Sequence, residues 1–367
     1  MNIKDILDEI ERHAPLPLQE NFDNSGLQYG DASSKATGAL LCIDVTEAVI
    51  DEAIAKGCNL VISHHPLLFK PLKSLTGKTY VERCLIKACK HDIAVYASHT
   101  NLDNTYPEGV SYRLGELIGL DKMSVLSPRP DSLLKLSVFV PSSHAASIRK
   151  ALFDAGAGQV GKYDSCSFNL KGEGTFRAGD DCHPFRGEIG LTHYEEETRI
   201  ETILPTFRKD AVVNALLHAH PYEEPAFDIY PLANAWTSAG TGVIGELPES
   251  EDADRFLHRL KAALGATCIQ YSSSSSSAGN IKKVAICGGS GAFLIPAAIQ
   301  SKADAFVTGE ARYNDFYDTE GKILLAVTGH YESEICTKEI FYNIISKKFP
   351  TFALHLSNVD SNPVKYL

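Results

Sequence analysis

The stretch ALLCIDVTEAVIDEAIAKGCNLVISHHP, residues 39–66, decides the fold. Residues 39–45 are a continuous apolar run of the kind buried on both faces of a sheet. Thr46 then offers a side-chain N-cap, apolar residues recur at helical spacing, and Gly57 supplies the stop. NLVISHHP is a second strand, VERCLIKACKHD (residues 81–92) a second helix and IAVYASHT (residues 93–100) a third strand. Strand, helix, strand units in succession imply a parallel sheet with right-handed crossovers.

The last third repeats this grammar. KKVAIC (282–287) reads as a strand ending in GGSG, AFLIPAAIQSKA (292–303) as a helix, AFVTGE (305–310) and KILLAV (322–327) as strands, and residues 331–348 as a helix. Between the halves the pattern changes. KLSVFVPS (135–142) alternates like a half-exposed strand, residues 143–156 are amphipathic, and FNLKGEGTFR (168–177) and RIETILP (199–205) read as strands. The helix FRKDAVVNALLHA (207–219) and the strand AFDIYPL (226–232) follow. Strand, helix, strand, strand, helix, strand is the ferredoxin-like plan. The expected division is therefore a discontinuous α/β domain of residues 1–127 and 234–367 and an inserted α+β domain of residues 128–233. The serine run Ser272–Ser277, closed by Ala278, Gly279 and Asn280, resists packing and reads as an exposed loop.

The 367 residues are 44% apolar and 22% charged, too long for one small domain and too hydrophobic for disorder. Thirty-five Lys and Arg against 46 Asp and Glu give a formal net charge of −11, which argues against a phosphate-backbone binder. The opening MNIKDILDEIERHAP lacks a signal-type apolar core, and no run of about eighteen apolar residues occurs, so a soluble, cytoplasmic protein without membrane contact is expected. Nine cysteines, an odd number with no CxxC pair, suit buried thiols in a reducing compartment.

In parallel sheets, ligands bind beyond the carboxyl ends of the strands. Such ends carry His64 and His65, then His99 and Asp103 within SHTNLD, and His330 and Glu334 within GHYESE, the last pair spaced to share one helix face. Imidazoles mixed with carboxylates suit Zn, Fe, Mn, Co or Ni better than Ca or Mg. Three histidines and two carboxylates exceed one open zinc site and match two metals sharing a bridging ligand. His99 reads either as a pocket residue able to shuttle a proton or as a histidine satisfied by a backbone carbonyl. GGSG, Gly288–Gly291, opens a helix whose N-terminus could hold an anion, but fits neither dinucleotide nor P-loop patterns. DNSGLQYG, Asp23–Gly30, reads as a turn into a strand or as a pocket loop with Asn24 and Gln28 as substrate contacts.

Taken together, DNSGLQYG, SHHP, SHTNLD and GHYESE resemble the NGG-interacting-factor-three-like (Nif3-like) family of dinuclear metal proteins, also known as GTP cyclohydrolase 1 type 2 homologues. The resemblance implies metal ligation by His64, His65, Asp103, His330 and Glu334. It also implies two divalent ions per subunit, zinc foremost. At GEARYNDF (309–316) many relatives carry a histidine where this chain has Asn314. HPYEEPAFDIYPL, from His220, resembles the CutA family, whose fold is shared with PII signalling proteins, and so implies a homohexamer built as a trimer of dimers. At its start, His218 and His220 form an HxH pair that reads as a metal pair or, since the side chains diverge at a helix end, as none, and Glu223 and Glu224 read as a turn between prolines. Two functions stand at this point: a metal-dependent hydrolase acting on a nucleotide or phosphate-containing small molecule, or a metal-handling or regulatory hexamer without catalysis.

Overall fold

The computed structural model describes residues 1–272 and 280–367. The serine run lies almost wholly outside the described residues. The chain forms two compact units, one of Met1–Pro128 with Ser238–Leu367 and one of Arg129–Thr237. The second crossing falls at 237/238 and not at 233/234, because β10, which starts at Trp236, continues into the first unit.

In the first unit the chain runs α1 (Ile3–His13), β1 (Gly26–Tyr29), β2 (Ala39–Cys42), α2 (Glu47–Ala55), β3 (Leu60–Ser63), α3 (Tyr80–Lys90), β4 (Ala94–Ala97), α4 (Thr100–Asp103), α5 (Val110–Leu117) and β5 (Asp121–Arg129). The insert supplies β6 (Leu133–Pro141), α6 (Ala145–Asp154), β7 (Phe168–Arg177), β8 (Thr192–Pro205), α7 (Lys209–Ala219) and β9 (Phe227–Pro231). The return leg contributes β10 (Trp236–Glu251), α8 (Ala253–Ala263), β11 (Gln270–Tyr271), β12 (Ile281–Cys287), α9 (Ile295–Gln300) and β13 (Ala305–Thr308). It ends with α10 (Asp315–Asp318), β14 (Leu324–Val327), α11 (His330–Glu334), α12 (Thr337–Lys348) and β15 (Leu354–Leu356).

Two mixed sheets build the first unit, in the orders β1-β4-β3-β2-β15 and β11-β14-β13-β12-β10-β5. β15, β2, β3 and β4 are parallel, as are β12, β13 and β14. β1, β10 and β11 pair antiparallel, so both sheets are mixed, although the first stays parallel out to its β15 edge. The apolar runs have a simple cause: both faces are covered. Leu41, Ile62 and Tyr96 enter a core that also holds Val284, Ile286 and Val307 of the second sheet and Phe341 of α12. Their neighbours Leu40, Val61 and Val95 pack on Val49 and Ile50 of α2 and Leu85 of α3. Each such side chain contributes about 1.5–3 kcal/mol when fully buried. Thr46 caps α2 by accepting from the Val49 N–H, and Gly57 past its end takes φ +68°.

Two helices differ from the sequence expectation. Residues 331–348 split into α11 and α12, although Ile335 and Cys336 keep right-handed helical angles, so the interruption is a tightened turn. Residues 292–303 form a 3-10 turn and then the short α9, which begins beside Pro296.

The insert's sheet, in the order β7-β8-β6-β9, is antiparallel throughout. Leu136, Val138 and Ile200 on one face pack on Ile148 and Leu152 of α6 and on Val212 and Leu216 of α7. All nine cysteines are free, but Cys89 and Cys182 are exposed and so depart from the expected burial. Among the described residues no helix is long and apolar enough to cross a membrane.

Candidate metal centre

The parallel strands of both sheets end toward one place. β3 delivers His64 and His65, β4 delivers His99 and then Asp103 at the end of α4, and β14 leads through Gly329 into α11 with His330 and Glu334. Three sets of side chains place one ligand atom each within 4.8 Å of one another: His64, His65 and His99; His65, His330 and Glu334; and His64, Asp103 and Glu334. Glu334 divides its oxygens. Its Oε1 lies 3.6 Å from His64 Nε2, while Oε2 lies 2.9 Å from His65 Nε2 and 3.1 Å from His330 Nε2. His64 Nε2 is also 3.7 Å from Asp103 Oδ1 and, among the described residues, is buried without a hydrogen-bond partner.

Each imidazole is oriented from behind. The Nδ1 atoms meet pure acceptors: the Ser98 carbonyl for His64 (3.0 Å), Asp44 for His65 (2.7 Å), Asp23 for His99 (2.8 Å) and Glu310 for His330 (3.0 Å). An acceptor-only partner assigns the proton to Nδ1 and turns the Nε2 lone pair of the neutral ring inward. Nε2 of His65 and of His330 then lie 3.2 Å apart, beside a carboxylate oxygen. Two lone pairs and an anion at that range require a positive charge, supplied by a proton or a metal ion.

The electrostatics carry the same message. Burial opposes charging His65, but hydrogen bonds to Asp44 and Glu334 outweigh it and push its pKa up to about 10. His330 is likewise raised, with Glu334 overcoming burial. Burial and then repulsion from Glu334 bring Asp103 up to about 7. Against its own burial, Glu334 is held well below the usual carboxylate range by the imidazoles, His64 foremost. Asp44 is lowered despite burial because His65 hydrogen-bonds to it.

Glycine makes the approach of Glu334 possible. At Gly289, with φ +61°, a Cβ would stand 2.3 Å from Glu334 Oε1. The GGSG loop shapes the site, and two of its N–H groups are turned to side-chain hydroxyls. Its Gly289 N–H donates to Ser333 Oγ and its Gly291 N–H to Thr308 Oγ1, and α9 is only six residues long.

His99 stands with the cluster, its ring centroid 5.2 Å from that of His64 and 5.4 Å from that of His65. Asn24 and Gln28 are placed differently. Asn24 Nδ2 donates to the Leu68 carbonyl at 2.6 Å, Gln28 Nε2 to the Asn24 carbonyl at 2.5 Å, and the Leu68 N–H to Gln28 Oε1 at 2.8 Å. Their amides thus tie β1 to the segment after β3. Asn314 is exposed at the start of α10 and belongs to none of the metal-capable groups. In the insert, His218 donates to the Asn214 carbonyl through Nδ1 and His220 to that of Phe139 through Nε2, so each engages the backbone.

Sequence reasoning missed Asp44 and Glu310. Both follow the ends of parallel strands, β2 and β13, and that position was their signal. A cavity of about 800 Å³ opens beside the cluster, with Asp44, His65, Glu310, Arg312 and His330 on its wall.

A family model described as Duf34/NIF3 (NGG1p interacting factor 3) matches residues 1–363. The chain belongs to that family. A curated Bacillus subtilis relative named GTP cyclohydrolase 1 type 2 homolog is 36% identical, covering 100% of this chain and 99% of its own. A Halalkalibacterium halodurans relative of the same name is 41% identical over 86% of this chain and 85% of its own. Among solved structures, a Bacillus cereus protein related to NIF3 superposes with a TM-score of 0.85 at 35% identity, covering 100% of this chain and 99% of that one.

Proposed function

We propose that this NIF3-family chain holds two divalent metal ions and acts as a metal-dependent hydrolase on a nucleotide or other phosphate-containing small molecule. The divided carboxylate of Glu334 carries the reading. Its Oε1 faces His64, which Asp103 also approaches, and its Oε2 faces His65 and His330. Each side of Glu334 thus has enough nitrogen and oxygen donors for one ion, and the donor set suits zinc or a neighbouring transition metal. Metal bound there would supply Lewis acidity and an activated water at neutral pH.

The chain's own groups complete the chemistry. His99, fixed by Asp23 Oδ1, presents its other ring nitrogen to the cluster and accepts a proton from an attacking water. Arg312 places a cationic side chain on the cavity wall, where it orients an anionic substrate. The open cavity favours a working site over a closed structural one, which keeps no room beside its ligands. We read the insert as ferredoxin-like, related to PII and CutA, and the assembly as a hexamer. The strand order of β6 to β9 supports the first of these.

The test is hydrolysis of GTP and of a chromogenic phosphodiester by metal-loaded protein. Turnover that disappears in Glu334→Gln is expected. Full metal loading with no turnover of either substrate would instead favour metal handling.

A further inference from the structure

A second cavity, of about 570 Å³, lies wholly within the insert. Strand pairing fixes its position. Leu170, Gly172, Gly174 and Phe176 of β7 stand opposite Arg199, Glu197, Glu195 and His193 of β8, and directly opposed residues share a face. The helix-facing residues of β8, such as Ile200, have the other parity, so this is the sheet face away from α6 and α7.

Two of the five β7 positions on that face are glycine, although glycine weakens a strand interior. Each leaves a different space. A Cβ on Gly172 would meet nothing within 4 Å, whereas one on Gly174 would stand 2.2 Å from Glu197 Oε2. The sequence Gly172-Glu173-Gly174 therefore hollows the strand at one residue and lets the Glu197 carboxylate lie against it at the next.

Glu197 is only 8% exposed. Tyr222 donates its hydroxyl to Glu197 Oε1 at 2.9 Å, and among the described residues Oε2 makes no hydrogen bond. Aromatic rings stand around it. Tyr222 has its centroid 5.7 Å from that of Phe176 and 6.3 Å from that of Phe185, both at tilted angles. The cationic side chains beside it are already engaged, Arg199 by Glu201 at 2.6 Å and Arg186, which lies 5.6 Å from the Phe185 ring centroid, by Glu195 at 3.5 Å. Glu223 and Glu224 add further negative charge. Every metal-capable cluster among the described residues lies in the other unit, which points here to an organic cation.

We propose that this cavity binds a small organic ammonium ion, with Glu197 Oε2 as its charged acceptor and the rings of Phe176, Phe185 and Tyr222 as its walls. Aromatic faces attract cations electrostatically, and a buried carboxylate beside them gives a charge-assisted hydrogen bond to any N–H of the ligand. The site is independent of the metal centre.

Calorimetric titration of the full-length protein with spermidine and with choline tests the proposal. Saturable binding of at least one of them, one per chain, is expected. Gly172→Val, which fills the hollow with a residue that favours strands, and Glu197→Gln, which keeps shape and removes charge, should each weaken it at least about tenfold. His330→Ala should leave it unchanged. Far-UV circular dichroism checks the fold of each variant, and if Gly172→Val fails that check the isosteric Glu197→Gln decides. Absence of saturable heat with either ammonium would overturn the proposal. So would binding that persists in the folded variants, the mark of diffuse attraction to an acidic surface, or selective uptake of ATP by this cavity.

Discussion

Glu334 takes its two oxygens into two different donor sets, and every imidazole it meets is held from the far side by an acceptor. That outer layer is itself testable. Removing it in Asp44→Ala should lower metal affinity about 10- to 100-fold while leaving the circular dichroism spectrum intact, as competition with a chromophoric chelator would show. An unchanged affinity would mean that the Asp44 contact to His65 is incidental. Protons and metal compete for the same lone pairs, which gives a pH dependence of opposite sign in the two forms. In the metal-free protein His65, raised to about 10, and Asp103, raised to about 7, hold protons that the unfolded chain has released. His65 therefore contributes stability that is complete below about 6.5 and is lost as pH climbs toward 10. For Asp103 the loss runs from about 4 to 7. Chelator-treated protein should accordingly melt at a lower temperature at pH 9 than at pH 6, whereas metal affinity should rise over that interval. Melting that rises with pH in the metal-free protein would contradict the proton-filled cluster.

At the level of elements, each candidate ligand follows an apolar strand, and for that reason the five side chains that gather here were legible in the sequence. His64, His65, Asp103, His330 and Glu334 stand where ALLCIDV-like runs stop, and a parallel strand has only one end at which ligands gather. Asp44 and Glu310 occupy equivalent places, but a lone carboxylate after a strand is indistinguishable in sequence from a solvated turn. The role of GGSG was illegible for a related reason. A glycine loop before a helix suggests anion binding, while the need at Gly289 comes from Glu334, 45 positions downstream. Gly289→Ala should thus cost about 1–3 kcal/mol through its left-handed backbone and the collision with Glu334, and should reduce bound metal as well. Denaturant unfolding and metal analysis of the same sample check both effects. A stable variant that binds metal normally would show that the loop can relax. The division of residues 331–348 into α11 and α12 was hidden because apolar periodicity continues through Cys336, Ile340 and Phe341.

Across the whole molecule, residues before and after the insert share one core and one site. Leu41 and Ile62 pack in the cluster that holds Val284 and Phe341, and His65 meets His330 across 265 positions of sequence. Alternating strand and helix signals made the two α/β halves readable. Their junction had to be inferred from chemistry, since periodicity says nothing about which sheets share a core. A ligand that binds only the folded state stabilises it by about 2.7 kcal/mol at one hundred times its Kd. Chelation should therefore lower the melting temperature of metal-loaded protein by several degrees, and restoring zinc should reverse the change. No shift would mean that the cluster binds no metal under those conditions. The most direct measurement is anomalous diffraction from a metal-saturated crystal grown near neutral pH. The proposed centre calls for two ions per chain, one held by His64 and Asp103 and the other by His65 and His330, with Glu334 between them. A single ion, or ions that leave Glu334 untouched, would contradict the shared-carboxylate centre.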